Sequence, residues 1–232
     1  MKPIIFNTEM VQAILDGRKT QTRRIIKNIP ANTHRFDAEA GLEWSAHWGK
    51  SGEDYNGKAW FADYSKIVKP KYIADDVLWV RETWRSTDFE YHDGKWTASI
   101  QYKDLNKGPR VSWWDNTDVG EPDDCIYSKT GWRPSIHMPR EAARLFLRVT
   151  DVRVERINQI TNNDILREGV RSESCNICVH DGGSGCEHCF AILNPFRKLW
   201  DSINAKRGYG WDNNPWVWVY SFKRIGNPGV DA

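Results

Sequence analysis

The segment Ile14–Arg24, with the sequence ILDGRKTQTRR, decides how the fold of this chain is interpreted. Apolar residues recur at helical spacing before and into this segment, at Met10, Val11, Ile14 and Leu15. This spacing predicts a helix from about Thr8 to Asp16. Gly17 is a natural helix stop, so the chain should reverse sharply there. The basic and hydroxyl residues that follow can then project into a cavity. Alternatively, they form a solvated helix exit whose cations complement the helix dipole.

Lys19 and Thr22 are the candidate chemical pair in this segment. Burial lowers the pKa of an amine, and a neutral amine can accept the proton of a hydroxyl group. The pair is therefore a candidate for catalysis if the ammonium group is removed from water.

Four apolar runs predict strands. The clearest is Leu145–Val154, where the apolar alternation changes phase at Thr150-Asp151, as it does at the bulges and corners of small barrels. The other three of these strands are expected at residues 3–6, 77–80 and 216–222. In addition, Asp93-Gly94 between aromatic runs predicts a hairpin.

Two more short helices are expected, one over Thr161–Glu168 and one that begins at Asn194-Pro195 and ends near Arg207. Residues from about 29 to 71 lack sustained periodicity and predict an insertion with little regular structure. Strands dispersed among three short helices, without βαβ periodicity, favour an α+β fold with a barrel-like sheet.

Composition limits the classes of function. The chain has 232 residues, 40% of them hydrophobic, with 13 tryptophans and a formal net charge of +2. That charge argues against a wholesale polyanion binder, although two basic clusters, at residues 18–27 and 140–156, could attract phosphate. The N-terminal residues lack a signal-peptide core and no run approaches a membrane span, so a soluble cytoplasmic protein without membrane contact is expected.

Two further segments could contact a ligand. In Asp76–Trp84, Arg81 and Glu82 lie between tryptophans and could form a wall for recognising bases, or Trp84 could simply be core. His137, in a rigid segment framed by two prolines, could be an acid/base group or a base contact, or a satisfied structural side chain.

Four cysteines form two CxxC pairs on either side of a glycine-rich loop: Cys175, Cys178, Cys186 and Cys189. Four thiolates at this spacing predict a closed structural zinc knuckle, in which His180 or His188 could replace one thiolate. Free thiols or disulfides are the alternatives, and the isolated Cys125 is expected to be structural.

The ordered pattern I-L-x-G-R-K-T-x-T-x-R, followed later by a D-x-L-x-V strand, resembles the ASCH family of the PUA-like superfamily, in particular its larger phage- and prophage-encoded members. The supporting segments cover a little over half of the chain: residues 3–24, 76–84, 132–169 and 199–225. The resemblance implies a small β-barrel with short flanking helices and a cleft for a base, a nucleoside or RNA. It also implies one domain over residues 1–225, with insertions at about 29–71, 86–131 and 171–193 (the zinc knuckle at 175–189) and a tail at 226–232.

By the same resemblance, Lys19, Thr22 and Glu168 match a hydrolase triad: Thr22 attacks an amide carbonyl, Lys19 takes its proton and Glu168 orients the groups or shuttles protons. The chain is about twice as long as the small family members that act on N4-acetylcytidine, so the triad supports a pocket more strongly than it supports that reaction.

We therefore expect a protein that binds RNA, DNA or a modified nucleoside. The alternatives are a nucleoside amidohydrolase or ribonuclease, and a phage accessory protein that binds a host protein. The expected ligand contacts, besides the triad, are Arg18, Arg23, Arg81, Glu82, Trp84 and His137. The sequence does not indicate an oligomeric state.

Overall fold

A computed structural model describes residues 1–38, 43–53, 58–104, 106–114, 131–170 and 190–228. It confirms an α+β chain built from small sheets and a few short helices. The strands are β1 (Lys2–Ile5), β2 (Gln21–Ile25), β3 (Thr33–Ala38), β4 (Trp44–Glu53), β5 (Ala59–Val68), β6 (Val77–Arg81), β7 (Trp84–His92), β8 (Lys95–Tyr102), β9 (Lys107–Trp114), β10 (Phe146–Arg156) and β11 (Trp216–Ile225). The helices are α1 (Thr8–Leu15), α2 (Asn162–Arg167) and α3 (Phe190–Asn204).

The chain forms two compact units. The first contains Met1–Thr20, Asp75–Val149 and Phe222–Ala232, and the second contains Gln21–Ala74 and Thr150–Ser221. The chain passes from the first unit to the second within β10, where the apolar alternation of the sequence changes phase. The assignment of a single domain with three insertions stays a prediction.

In the first unit, β6 pairs in parallel with β1 and antiparallel with the start of β10. The predicted hairpin is present: β7 and β8 pair through a turn in which Asp93 (φ +50°) and Gly94 (φ +74°) both adopt positive φ, as a type I′ turn requires. Strand β9 extends this sheet. The inner face of the β7–β8–β9 sheet packs into a core that includes Trp84, Ile100 and Tyr102, each 0% exposed.

In the second unit, β11 pairs antiparallel with β2, in the order β10–β11–β2. The helices α2 and α3 lie over a core that includes Ile165, Trp200 and Val219. Helix α2 has the predicted cap, because the Thr161 hydroxyl accepts a hydrogen bond from the Asp164 amide at 3.1 Å. The predicted start of the last helix was wrong: α3 begins at Phe190, and Pro195 lies inside it.

The expectation of little regular structure at residues 29–71 was also wrong, because this segment forms the meander β3–β4–β5. Strands β4 and β5 pair continuously over ten residues each, from Trp44 opposite Val68 to Glu53 opposite Ala59. Trp44, Ala46 and Trp48 alternate with more polar or small residues, but this alternation stops at Lys50. The rest of the ladder depends on cross-strand pairs, which local hydrophobic periodicity does not show. Across the described part of the chain, no helix has the length and apolar character needed to cross a membrane.

Candidate functional site

Lys19 is a buried cation of the first unit. Helix α1 ends at Leu15, Gly17 then adopts a positive φ of +74°, and the amides of Arg18 and Lys19 both donate to the Ala13 carbonyl at 2.9 Å. This tight turn leaves Lys19 only 2% exposed, with its Nζ 5.5 Å from the centroid of the Phe6 ring. Lys19 is therefore not part of a solvated helix exit.

Arg18, by contrast, lies at the surface of the first unit. Its side chain is 32% exposed and forms an ion pair with Asp16 at 2.9 Å. The predicted ligand contact is thus a partly exposed cation that is already paired with a neighbour in the same turn.

Thr22 and Arg23 lie on β2 in the second unit. Thr22 is 3% exposed and stands opposite Tyr220 of β11. The Arg23 side chain is 1% exposed, and its guanidinium bonds four groups at 2.5–3.2 Å: Gln21, Glu155, Asp164 and Glu168. We name Arg23 with its three carboxylates the Arg23 cluster. A buried guanidinium needs this many acceptors, since it carries five donors in a fixed fork.

Glu168 is the C-terminal cap residue of α2 and is 7% exposed. Its Oε1 accepts a hydrogen bond from Nη1 of Arg23 at 3.1 Å. Asp164 belongs to the same cluster. Burial acts to raise the pKa of its carboxyl group, but the charge of Arg23 and the hydrogen bond from Thr161 hold that pKa below its usual value. The predicted ligand contact Arg23 and the predicted catalytic Glu168 are therefore partners of each other.

Glu82, in the first unit, is held in a second buried ion network. It is 4% exposed, and Arg144 bonds it in a bidentate manner at 2.9 Å and 2.7 Å. Arg144 also donates to Asp104 at 2.6 Å, and its Cζ lies 4.0 Å from the centroid of the Tyr102 ring. Burial raises the pKa of Glu82, while the hydrogen bond and the charge of Arg144 oppose that rise.

The other predicted contacts of the first unit differ in accessibility. Trp84 is 0% exposed and belongs to the hydrophobic core, so the interpretation of this residue as core is correct and its ring face is not accessible for stacking. Arg81 is half-buried with its Cζ 4.8 Å from the Trp79 ring centroid, and its Nη1 donates to the Ile136 carbonyl at 3.2 Å. His137 ends a short 3-10 turn, Ser135–His137, and is exposed.

A basic–aromatic surface of the first unit was missed at the level of sequence. Trp132 lies with the Cζ of Arg85 and the Nζ of Lys103 each 4.7 Å from its ring centroid. Arg85 is oriented by a 2.8 Å hydrogen bond from its Nε to Gln101 on the neighbouring strand. We name Arg85, Lys103 and Trp132 the Trp132 surface. Arg85 and Lys103 alternate with the core residues Trp84 and Tyr102, so the period-2 pattern of the predicted hairpin could have revealed that they face outward.

The four cysteines of the predicted zinc knuckle, the alternative ligands His180 and His188, and Cys125 lie outside the described residues. Within the described ranges, no group of three or more His, Cys, Asp or Glu side chains is arranged to hold a metal ion. Zinc binding at Cys175, Cys178, Cys186 and Cys189 therefore stays a prediction.

Comparison with known proteins identifies no relative. The chain matches no family model, and searches of the curated proteins and of the solved structures found no match. The interpretation of function therefore depends on the chemistry of the two buried ion networks and of the Trp132 surface.

Proposed function

We propose that this chain is a nucleic-acid- or nucleoside-binding protein of the ASCH type, with a PUA-like barrel, and that the Trp132 surface contacts the ligand. The observation that carries the proposal is the placement of two cations, Arg85 and Lys103, at 4.7 Å from one tryptophan ring. Among the described residues, no carboxylate forms an ion pair with either cation. A half-buried ring beside unneutralised cations suits a ligand that combines a flat base with a phosphate.

The charge distribution supports the same ligand class. The chain carries a net charge of only +2, and several of its arginines are neutralised internally by Glu and Asp. Binding would therefore be local, with a small number of phosphate contacts and a modest dependence on salt. A single-stranded segment fits this surface better than a long duplex, because stacking on Trp132 requires an unpaired base.

The test is a binding titration of short labelled single-stranded RNA and DNA, monitored by fluorescence anisotropy at several salt concentrations. We expect Lys103→Gln to weaken binding and to reduce the slope of log K against log salt by about 0.7, the value for one phosphate contact to a single strand. Lys206→Gln is the matched control, since Lys206 is an exposed lysine of the other unit. Equal effects of the two substitutions, or no binding by the wild type at low salt, would contradict the proposal.

A second candidate function is hydrolysis by Lys19, Thr22 and Glu168. The observation that favours it is that all three polar side chains are almost fully buried, at 2%, 3% and 7% exposure. Burial of polar groups costs free energy, so their retention calls for either a structural or a chemical role.

Lys19→Met separates these roles, because it keeps the length of the side chain and removes the amine. If the chain is an N4-acetylcytidine amidohydrolase, wild-type protein should release cytidine and the variant should not, while both should bind oligonucleotide equally. Absence of turnover by the wild type on acylated nucleosides and on RNA would exclude this function.

A further inference from the structure

The register of the β3–β4–β5 meander places its described carboxylates on one face, together with Arg35, which forms an ion pair with Asp37. Cross-strand pairing puts the even-numbered residues of β4 and β5, with Phe36 and Ala38 of β3, on one side, which we name the even face. The carboxylates of β3, β4 and β5 all have odd numbers and lie on the other side: Asp37, Glu53 and Asp63. The even face carries the lysines of the two long strands, Lys50 and Lys66. Within the described parts of these three strands, the even face thus carries lysines and no acidic side chain.

The even face is also aromatic. Near the start of β4 it is covered within the second unit, where Phe36 packs edge-on against Trp216 and Trp44 against Trp218, with centroid distances of 4.9 Å and 5.9 Å. Further along the hairpin, Trp48 and Tyr64 form a directly opposite pair. Their rings are nearly parallel, at 17°, with centroids 6.1 Å apart.

The Trp48–Tyr64 pair consists of an exposed tyrosine and a half-buried tryptophan, and the two lysines flank it. Tyr64 is 42% exposed, and both Lys50 and Lys66 are exposed. The Nζ of Lys50 lies 5.5 Å from the Tyr64 ring centroid, and the Nζ of Lys66 donates to the Asn28 carbonyl at 3.3 Å. Lys50 of β4 pairs with Ala62 of β5, and Ala62 lies four residues before Lys66 on the same strand. At about 3.3 Å per residue, the two lysines are therefore roughly 13 Å apart along the strand direction.

We propose that the even face of the β4–β5 hairpin is a second binding site, which takes single-stranded nucleic acid. One or two bases stack on Tyr64 and Trp48, and the phosphates on either side contact Lys50 and Lys66. Stacking on aromatic rings tolerates any base, while a lysine on each side selects a polyanion. The choice of nucleic acid rests on the function proposed above; the site itself rests on the two lysines, the placement of the described carboxylates on the other face, and the exposed Tyr64 ring beside Trp48. A neutral oligosaccharide could use the rings but would gain nothing from the lysines.

The test compares two exposed aromatic residues of the same strand. Tyr64 is on the even face, and Phe61, which is 69% exposed, is on the opposite face. We expect Tyr64→Ala to weaken binding of labelled oligo-deoxythymidine about tenfold, the size typical of one lost base stack. Phe61→Ala should bind as the wild type does, and Tyr64→Phe should retain binding because it keeps the ring. Lys50→Gln should reduce the salt slope by about 0.7.

The outcomes separate this inference from the proposed function. Normal binding by Tyr64→Ala and Lys50→Gln, together with a loss in Lys103→Gln, overturns the second site and leaves the Trp132 surface in place. The reverse pattern supports the second site and overturns the first. Equal losses in Tyr64→Ala and Phe61→Ala indicate general damage to the hairpin and overturn the inference. The inference is also overturned if a neutral oligosaccharide competes with the oligonucleotide and its binding is unaffected by Lys50→Gln.

Discussion

Arg144→Met should destabilise the first unit strongly, and the loss should depend on pH. Arg144 neutralises Glu82, whose side chain is 5% exposed, and Asp104, whose side chain is 12% exposed. Methionine fills similar volume but leaves a buried carboxylate without a counter-charge. Removal of one partner from a buried ion pair costs about 3–5 kcal/mol. Because Asp104 is the more exposed partner, we expect roughly 3 kcal/mol at neutral pH, most of it from Glu82.

The sign of the pH dependence follows from the two carboxyl groups. Burial already raises the pKa of Glu82, and Arg144 opposes that rise, so the substitution raises this pKa further. A carboxyl group with a raised pKa in the folded state holds its proton longer than in the unfolded chain, and stability therefore falls as the pH rises above the ordinary glutamate range. Asp104 acts in the same sense. Burial acts to raise its pKa, but the hydrogen bond from Arg144 keeps it lowered, and the variant loses this stabilisation above the ordinary aspartate range.

Urea denaturation of both proteins at about pH 4.5 and about pH 7.5 measures this effect, with a larger difference in unfolding free energy expected at the higher pH. The double variant Glu82→Gln/Arg144→Met should be more stable than Arg144→Met at neutral pH, since the buried charge is gone. Arg140→Met is the control, because Arg140 is exposed. A loss of the same size at both pH values, or one no larger than that of Arg140→Met, would refute the reasoning.

Four further outcomes are expected. Tyr102→Phe should cost about 1 kcal/mol in urea denaturation, because the hydroxyl donates to the Ala142 carbonyl at 2.7 Å in the core; an unchanged midpoint would contradict this. Asn7→Ala should cost about 1 kcal/mol through the lost cap of α1, whereas Asn7→Asp should not. Gly94→Ala should cost about 1 kcal/mol in thermal unfolding, since alanine is strained at φ +74°, and no loss would argue against that turn. Metal analysis of the purified chain should find about one zinc, and its absence would refute the cysteine knuckle.

Local signals in the sequence were sufficient to predict the boundaries of α1 and α2 and the tight hairpin turn, but not the start of α3. Three such features each depend on residues within four positions of one another: the cap of α2 at Thr161, the reversal at Gly17 just after α1, and the hairpin turn at Asp93-Gly94. Such features follow from side-chain to backbone hydrogen bonds and from the tolerance of glycine and aspartate for positive φ.

Long-range pairing could not be predicted in the same way. Trp48 pairs with Tyr64 on the far strand of the hairpin. Trp44, Ala46 and Trp48 mark an apolar side only at the start of β4, and Lys50, Gly52 and Lys66 interrupt that side further along the two strands. Glu82 was recognised as a polar residue near tryptophans, but its partner Arg144 is 62 positions away. The sequence shows that a charge is present, and only the fold determines whether that charge is neutralised.

The basic clusters of the sequence illustrate this point for function. Arg23, Arg144 and Arg153 belong to the segments that could attract phosphate, and in the structure all three bond carboxylates of their own unit. A guanidinium that already holds several buried acceptors would have to break those bonds before it could bind a phosphate, at a cost that a surface contact does not recover. The cations better suited to a ligand are isolated in sequence: Arg85 and Lys103 beside Trp132, and Lys50 and Lys66 beside Tyr64. Substitution of Arg23 should therefore reduce stability, whereas substitution of Lys103 should reduce the salt dependence of binding with little effect on stability.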